Sequence, residues 1–219
     1  EYASGDTALF RWRADQTELE LLYGEPRDRR ETPQPARLTG FDSAAFTPDG
    51  RLLVVTALFS DSRGPAVFDL ESPGEPRPLE VEGLEHTAQG ELLKIEHLYR
   101  DRFLLQYSVD GVSWAYEARY RPDKGCLQVE AVLAGKGRLA AGVLESIRYD
   151  PESDSFVLAF STATSPAQIY TVETDRKTVR LHTRERLLGL PQEHLSPGEE
   201  VPFPSFDGTR IPARLYLPS

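Results

Sequence analysis

Methionine and asparagine are absent from the 219 residues, cysteine occurs once, and lysine stands only at positions 94, 124, 136 and 177, so arginine dominates the 25 basic side chains. A single Cys126 excludes an internal disulfide, and with no Cys or His neighbour at metal spacing it fits a reducing compartment, so a cytoplasmic location is expected. Depletion of thermolabile residues fits a thermophile, although a GC-rich genome also favours Arg over Lys. Without an initiator Met, Glu1 is expected not to be an untouched translation start; processing or truncation would each explain it. No apolar run approaches membrane-spanning length and no basic-then-apolar leader opens the chain, so neither a membrane span nor a signal peptide is expected. The formal charge of -10 disfavours nucleic acid and anionic lipid as partners, because phosphate binding needs concentrated Lys and Arg.

What is present is ordinary for a globular chain, 39% hydrophobic and 27% charged. Its organisation lies in repetition. Phe46-Thr-Pro-Asp49-Gly50-Arg-Leu-Leu53 and Tyr149-Asp150-Pro-Glu-Ser-Asp154-Ser-Phe156 are the same device: an aromatic strand end, an acidic turn with proline, then an apolar strand. Tyr99-Arg-Asp101-Arg-Phe103 lies between them, and Leu53, Phe103 and Phe156 recur at about 50 residues, the length of one four-stranded propeller blade. Each repeat continues with an alternating strand (64 to 70, 112 to 120, 167 to 173), a polar turn and a last strand (77 to 82, 126 to 133, 178 to 182). Short strands separated by Pro, Gly and Asp predict an all-β fold. The competing all-β architecture, a sandwich, need not repeat its internal pattern, so a partial β-propeller is the expected class.

Ala8 to Trp12 and Glu18 to Tyr23 match the last two strands of a blade whose first two are absent. The expected division is a propeller fragment over 1-185, made of a half blade at 1-25 and blades at about 41-83, 84-135 and 139-185. A linker follows at 186-199 and a hairpin at 200-219. Arg184 to Leu190 is expected to form a helical turn stopped by Pro191. In the hairpin, Asp207-Gly208 separates Val201 to Phe206 from a run in which Ile211, Ala213, Leu215 and Leu217 alternate with Pro212, Arg214 and Tyr216, which predicts a tight two-residue turn.

The spacing of Glu199 or Glu200, Ser205, Asp207, Gly208, Ile211, Leu215 and Pro218 resembles the opening of the catalytic domain in the prolyl oligopeptidase family of serine peptidases, which includes acylaminoacyl and dipeptidyl peptidases. Ser161-Thr-Ala-Thr-Ser165-Pro166-Ala167-Gln-Ile169-Tyr170 is similar to that family's last blade. The resemblance covers residues 155 to 218 and weakens before that. It implies a seven-bladed parent of which this chain is the C-terminal half, cut just after the first hairpin of an α/β-hydrolase domain.

Candidate chemistry is sparse. Covalent hydrolysis needs a nucleophile, a base and an oxyanion hole. The nearest string to a nucleophile elbow, Gly111-Val-Ser113-Trp-Ala115, lacks the second glycine and falls in a hairpin, so Ser113 is not expected to act and no catalytic residue is assigned. Glu85, His86, Glu91, Glu96 and His97 are the one cluster that invites a metal, but the tight two-His spacing is missing and a solvated edge is expected; no metal and no cofactor is assigned. Carboxylate pairs for glycoside chemistry could be proposed, but sequence gives no separation between them. Arg27, Arg29, Arg30 and Arg37 form a basic patch, either a solvated loop or a contact to the catalytic domain or a substrate carboxylate. Tyr107, Trp114, Tyr116 and Tyr120 are expected to pack in the core, with ligand stacking as the lesser alternative.

The resemblance implies the non-catalytic propeller of a peptidase, limiting access of peptides or acyl-peptides to a catalytic domain outside this chain. The specificity of that parent stays open. Two other readings are a stand-alone β-propeller-like interaction module and a propeller hydrolase using carboxylates and a metal on sugars or lactones. Self-association through open propeller edges is a further expectation.

Overall fold

The computed structural model describes residues 5-26, 38-71, 74-175 and 178-217. Among these there is no α-helix; besides strands there are short 3-10 turns at Gly137–Leu139 and Gln192–His194. No described helix is long and apolar enough to cross a membrane.

The strands run as sequential antiparallel meanders. β1 (Leu9–Arg11) and β2 (Glu20–Tyr23) pair as a two-stranded sheet held by the bidentate Arg11–Glu20 contact, 2.7 Å at its shortest. β3 (Ala44–Phe46), β4 (Leu52–Thr56), β5 (Gly64–Phe68) and β6 (Arg77–Pro78) form the second sheet in chain order. The expected last strand over 77 to 82 is in fact two. β6 pairs with β5, whereas β7 (Glu80–Glu82) leaves to run parallel to the outer strand of the next sheet. Pro78 has no N–H with which to extend a ladder, and the buried Leu79, whose N–H reaches the Pro65 carbonyl at 2.9 Å, is the point of departure.

That next sheet contains β8 (Glu91–Tyr99), β9 (Arg102–Val109), β10 (Val112–Arg121) and β11 (Cys126–Ala134), with β7 beyond β11. The fourth contains β12 (Gly142–Asp150), β13 (Ser155–Thr162), β14 (Ser165–Glu173) and β15 (Thr178–Leu181). Cα partners align the repeats more finely than sequence could. Phe46 pairs with Leu52 as Tyr149 pairs with Phe156, so Phe156 corresponds to Leu52, and Leu53 to Val157. The expected match of Leu53 with Phe156 is therefore out by one residue, because six residues, 150-155, separate the Tyr149–Phe156 pair and five, 47-51, the Phe46–Leu52 pair.

Two compact units emerge, one of Glu1–Leu84, Glu91–Tyr107 and Glu117–Glu130, the other of Glu85–Gly90, Ser108–Tyr116 and Ala131–Ser219. In the first, Leu52, Val54, Ala66 and Phe68 pack with Leu9, Leu22, Tyr23, Phe41 and Leu70. The opposite face of β4, Leu53 and Val55, is equally buried, with β8 lying across β3, β4 and β5. A strand buried on both faces reads as a continuous apolar run, which explains Leu52-Leu-Val-Val55. In the second unit Ile147, Phe156, Leu158, Phe160 and Val172 form the buried face of the fourth sheet, each large side chain contributing about 1.5–3 kcal/mol.

The expected helical turn at 184 to 190 does not form. Buried Gln168 holds that segment extended: its amide donates to the Glu185 carbonyl at 2.8 Å, and its carbonyl accepts the Glu185 N–H at 2.9 Å. A turn then closes from the Leu190 N–H to the Leu187 carbonyl, and the 3-10 turn follows Pro191 instead of ending at it.

The terminal hairpin pairs β16 (Glu199–Glu200) with β19 (Arg214–Leu215) and β17 (Phe203–Pro204) with β18 (Arg210–Ile211). Its turn is a correction too. Ser205 N–H reaches the Thr209 carbonyl at 2.8 Å and Gly208 N–H the Ser205 carbonyl at 3.0 Å, so the loop has three residues, Phe206 to Gly208, with Gly208 left-handed at φ 84. This is a type I turn with a glycine bulge, and Thr47 to Arg51 repeats it. The two-residue form occurs at Asp110-Gly111, where both φ are positive, 49 and 79.

Candidate functional site

Within the second unit the terminal hairpin meets the β9–β10 turn. Arg210 donates to Asp110 Oδ2 at 2.8 Å. Asp110, Gly111, Glu200, Arg210, Pro212 and Arg214 line a cavity of about 200 Å³ there. The type I′ turn pushes the Asp110 carboxylate outward, and β18 aims Arg210 back at it. Sequence reasoning missed this pair because nothing in either local pattern refers to a residue 100 positions away. Both side chains keep solvent contact, so the pair supplies orientation more than energy.

A second cluster centres on fully buried Tyr116. Its hydroxyl accepts the His86 backbone N–H at 3.3 Å and lies at hydrogen-bond distance, 2.7 Å, from His86 Nδ1. Burial pushes the Tyr116 phenol up to about 12 and pushes His86 down from its ordinary value. Trp114 stacks on Tyr116 with centroids 5.8 Å apart, and Gly135 lies against the indole so closely that a Cβ would sit 2.2 Å from Trp114 Cδ2. Of the four aromatics expected in the core, Tyr107, Tyr116 and Tyr120 are buried, the last edge-on to Phe103, and Trp114 is half-buried.

The other residues singled out by sequence are engaged separately. Ser113 lies on β10 and its Oγ accepts the Leu144 N–H at 3.0 Å, which is the geometry of a strand side chain and not of a nucleophile at a strand-to-helix elbow. Glu85 holds Lys136 at 2.6 Å, Glu91 holds Arg63 at 2.8 Å, Glu96 holds Lys94 at 2.6 Å, and His97 Nε2 contacts the Arg100 carbonyl. Among the described residues no three His, Cys, Asp or Glu side chains converge as a metal site would require. Arg27, Arg29, Arg30 and Arg37 lie outside the described residues.

A groove of about 600 Å³ in the second unit runs between the β13–β14 turn and the segment from Glu185 to Leu195. Pro166, Leu187, Leu190 and Pro191 give it an apolar wall. Buried Gln168 spends its hydrogen bonds on two of the lining residues, Ser165 and Glu185, and on Thr183. That use is structural.

No protein-family model and no curated protein sequence matches the chain. Solved structures do match its fold. A structure from a mechanistic study of two prolyl endopeptidases superimposes with a TM-score of 0.66 at 17% identity, over 94% of this chain and 26% of its own. Oligopeptidase B from Trypanosoma brucei with covalently bound antipain gives 0.56 at 14% identity, over 89% of this chain and 26% of its own. Puromycin hydrolase gives 0.57 at 16%, over 90% and 27%. The chain thus spans about a quarter of the length of the structures it matches. Its fold is all-β, a partial propeller of the kind found in prolyl oligopeptidase-type structures.

Proposed function

We propose that the chain is the non-catalytic propeller portion of a longer serine peptidase of the prolyl oligopeptidase type, shielding a catalytic domain outside these residues and restricting it to peptides or acyl-peptides. The observation that carries the reading is the fold likeness, which takes in nearly the whole of this chain but only 22–31% of the matched ones. The hairpin at 199-215 adds to it, since it forms a separate pair of ladders after the fourth sheet. In this reading 1-185 is propeller, 186-199 is the connection and 200-219 opens the hydrolase domain. The nucleophile, base and oxyanion donors all come from that domain, and no residue of this chain acts on the scissile bond. A fluorophosphonate probe tests this. The longer product of the same reading frame should be labelled at one serine beyond residue 219, and the 219-residue chain at none. Stoichiometric labelling of Ser113 would overturn the assignment, and an inert longer product would favour an interaction module.

A further inference from the structure

Four charged side chains line the cavity beside the terminal hairpin, and only two of them are spent on each other. Arg210 is paired with Asp110 at 2.8 Å. Glu200 and Arg214 are left over. They are Cα partners across the β16–β19 ladder, which puts opposite charges on one face at the spacing of a cross-strand pair. Yet neither side chain makes a hydrogen bond or an ion pair with any described residue.

The backbone at Gly198 supplies the reason. It is left-handed, at φ 74, and a Cβ there would sit 2.8 Å from Arg214 Cγ, 2.9 Å from Arg214 Cδ and 2.9 Å from Tyr216 Cε1. The arginine stem therefore lies flat on Gly198 beside the Tyr216 ring, and packing, not the carboxylate opposite, sets where the half-buried side chain stands.

A cation and an anion that line one cavity without touching call for a ligand carrying one charge of each sign. The planar fork of Arg214 suits a carboxylate, and Glu200 accepts from an ammonium group. Size narrows the choice. At about 200 Å³ the cavity lies below the roughly 300–1,000 Å³ of sites for drug-sized ligands. Pro212 and Ala213 add apolar lining, and Gly111 contributes no side chain. A carboxylate and an ammonium close together on so small a body describe an α-amino acid.

We infer that Glu200 and Arg214 bind a free α-amino acid with a small apolar side chain, its carboxylate on the Arg214 guanidinium and its ammonium group on Glu200, with the Arg210–Asp110 pair lining the same cavity. This goes beyond the reading of the chain as part of a peptidase and needs none of it, since every residue named lies in the second unit.

Titration of the 219-residue chain with L-alanine, followed by backbone amide NMR, tests it. Saturable shifts are expected at residues 110-111 and 198-214, half complete at about 1 mM. Acetate and ethylamine, which carry one charge each, should bind about 10-fold more weakly, the worth of one charge-assisted contact. Glu200→Gln should weaken L-alanine by a similar factor and leave acetate unchanged, whereas Arg214→Gln should abolish both. Arg214→Lys keeps the charge without the fork and should fall between. Unshifted amides at 155-173 in each variant show that the fourth sheet is intact. No saturable shift at up to about 100 mM overturns the inference. So does acetate binding as tightly as L-alanine, which would make this a simple anion site, and so does L-alanine binding undiminished in Glu200→Gln or Arg214→Gln. The longer product of the reading frame should bind L-alanine equally well; loss of binding there overturns the inference, because the rest of the polypeptide then fills the site.

Discussion

Arg210 reaches back over 100 residues of sequence to Asp110, with 2.8 Å between Nη1 and Oδ2, and so fastens the terminal hairpin to the β9–β10 turn. The exposed pair is worth little to global stability, about 0–1 kcal/mol. Its effect falls on the hairpin's position. Asp110→Asn keeps a residue tolerant of the left-handed backbone and removes the charge. Hydrogen exchange at residues 203-211 should accelerate while the melting temperature moves by less than about 2 °C. High salt should reproduce this in the parent chain. A large fall in melting temperature would show that the contact is part of the core.

Gly208 sits at φ 84 with nothing within 4 Å of where a Cβ would be, so a substitution there meets backbone strain and no clash. Gly208→Ala should cost about 1 kcal/mol and Gly208→Val more, confined to the hairpin. Amide exchange at 199-215 resolves the loss. Cooperative unfolding of the four sheets at much lower temperature would place the hairpin inside the main core.

Gly135 is the opposite case, at φ 113 with the indole of Trp114 only 2.2 Å from a built Cβ. Here Gly135→Ala must displace the ring from its stack on Tyr116. A loss of roughly 2–4 kcal/mol is expected, with a red shift of tryptophan emission as the ring meets water. Denaturant titration checks the first and fluorescence the second. An unchanged midpoint would mean that Trp114 swings aside at no cost.

His86 has a folded pKa held down by burial, so the unfolded chain binds the extra proton first. The contribution is present above the unfolded value near 6.5 and declines as pH falls through and below it. Melting temperature should drop between pH 7 and 5, and His86→Gln should flatten that part of the profile. A variant with the slope of the parent would assign the acid sensitivity elsewhere.

Local chemistry determined much of this protein from sequence. Alternation of apolar residues set the strands, Asp-Gly and Pro set the turns, and a 50-residue recurrence set the four-stranded sheets, because each depends on residues within a few positions of one another. The resemblance at 155-218 pointed to the same fold class that superposition supports. What sequence could not reach was decided between segments. Asp110-Gly111 and Asp207-Gly208 are one dipeptide in two turns, since the paired strands and not the dipeptide set loop length. Arg184 to Leu190 has helical composition, yet two hydrogen bonds between the Gln168 side chain and the Glu185 backbone hold its start extended. Val157 and Leu53 share a place in the repeat, and only the strand lying over one of them makes the difference between a buried core and an open face.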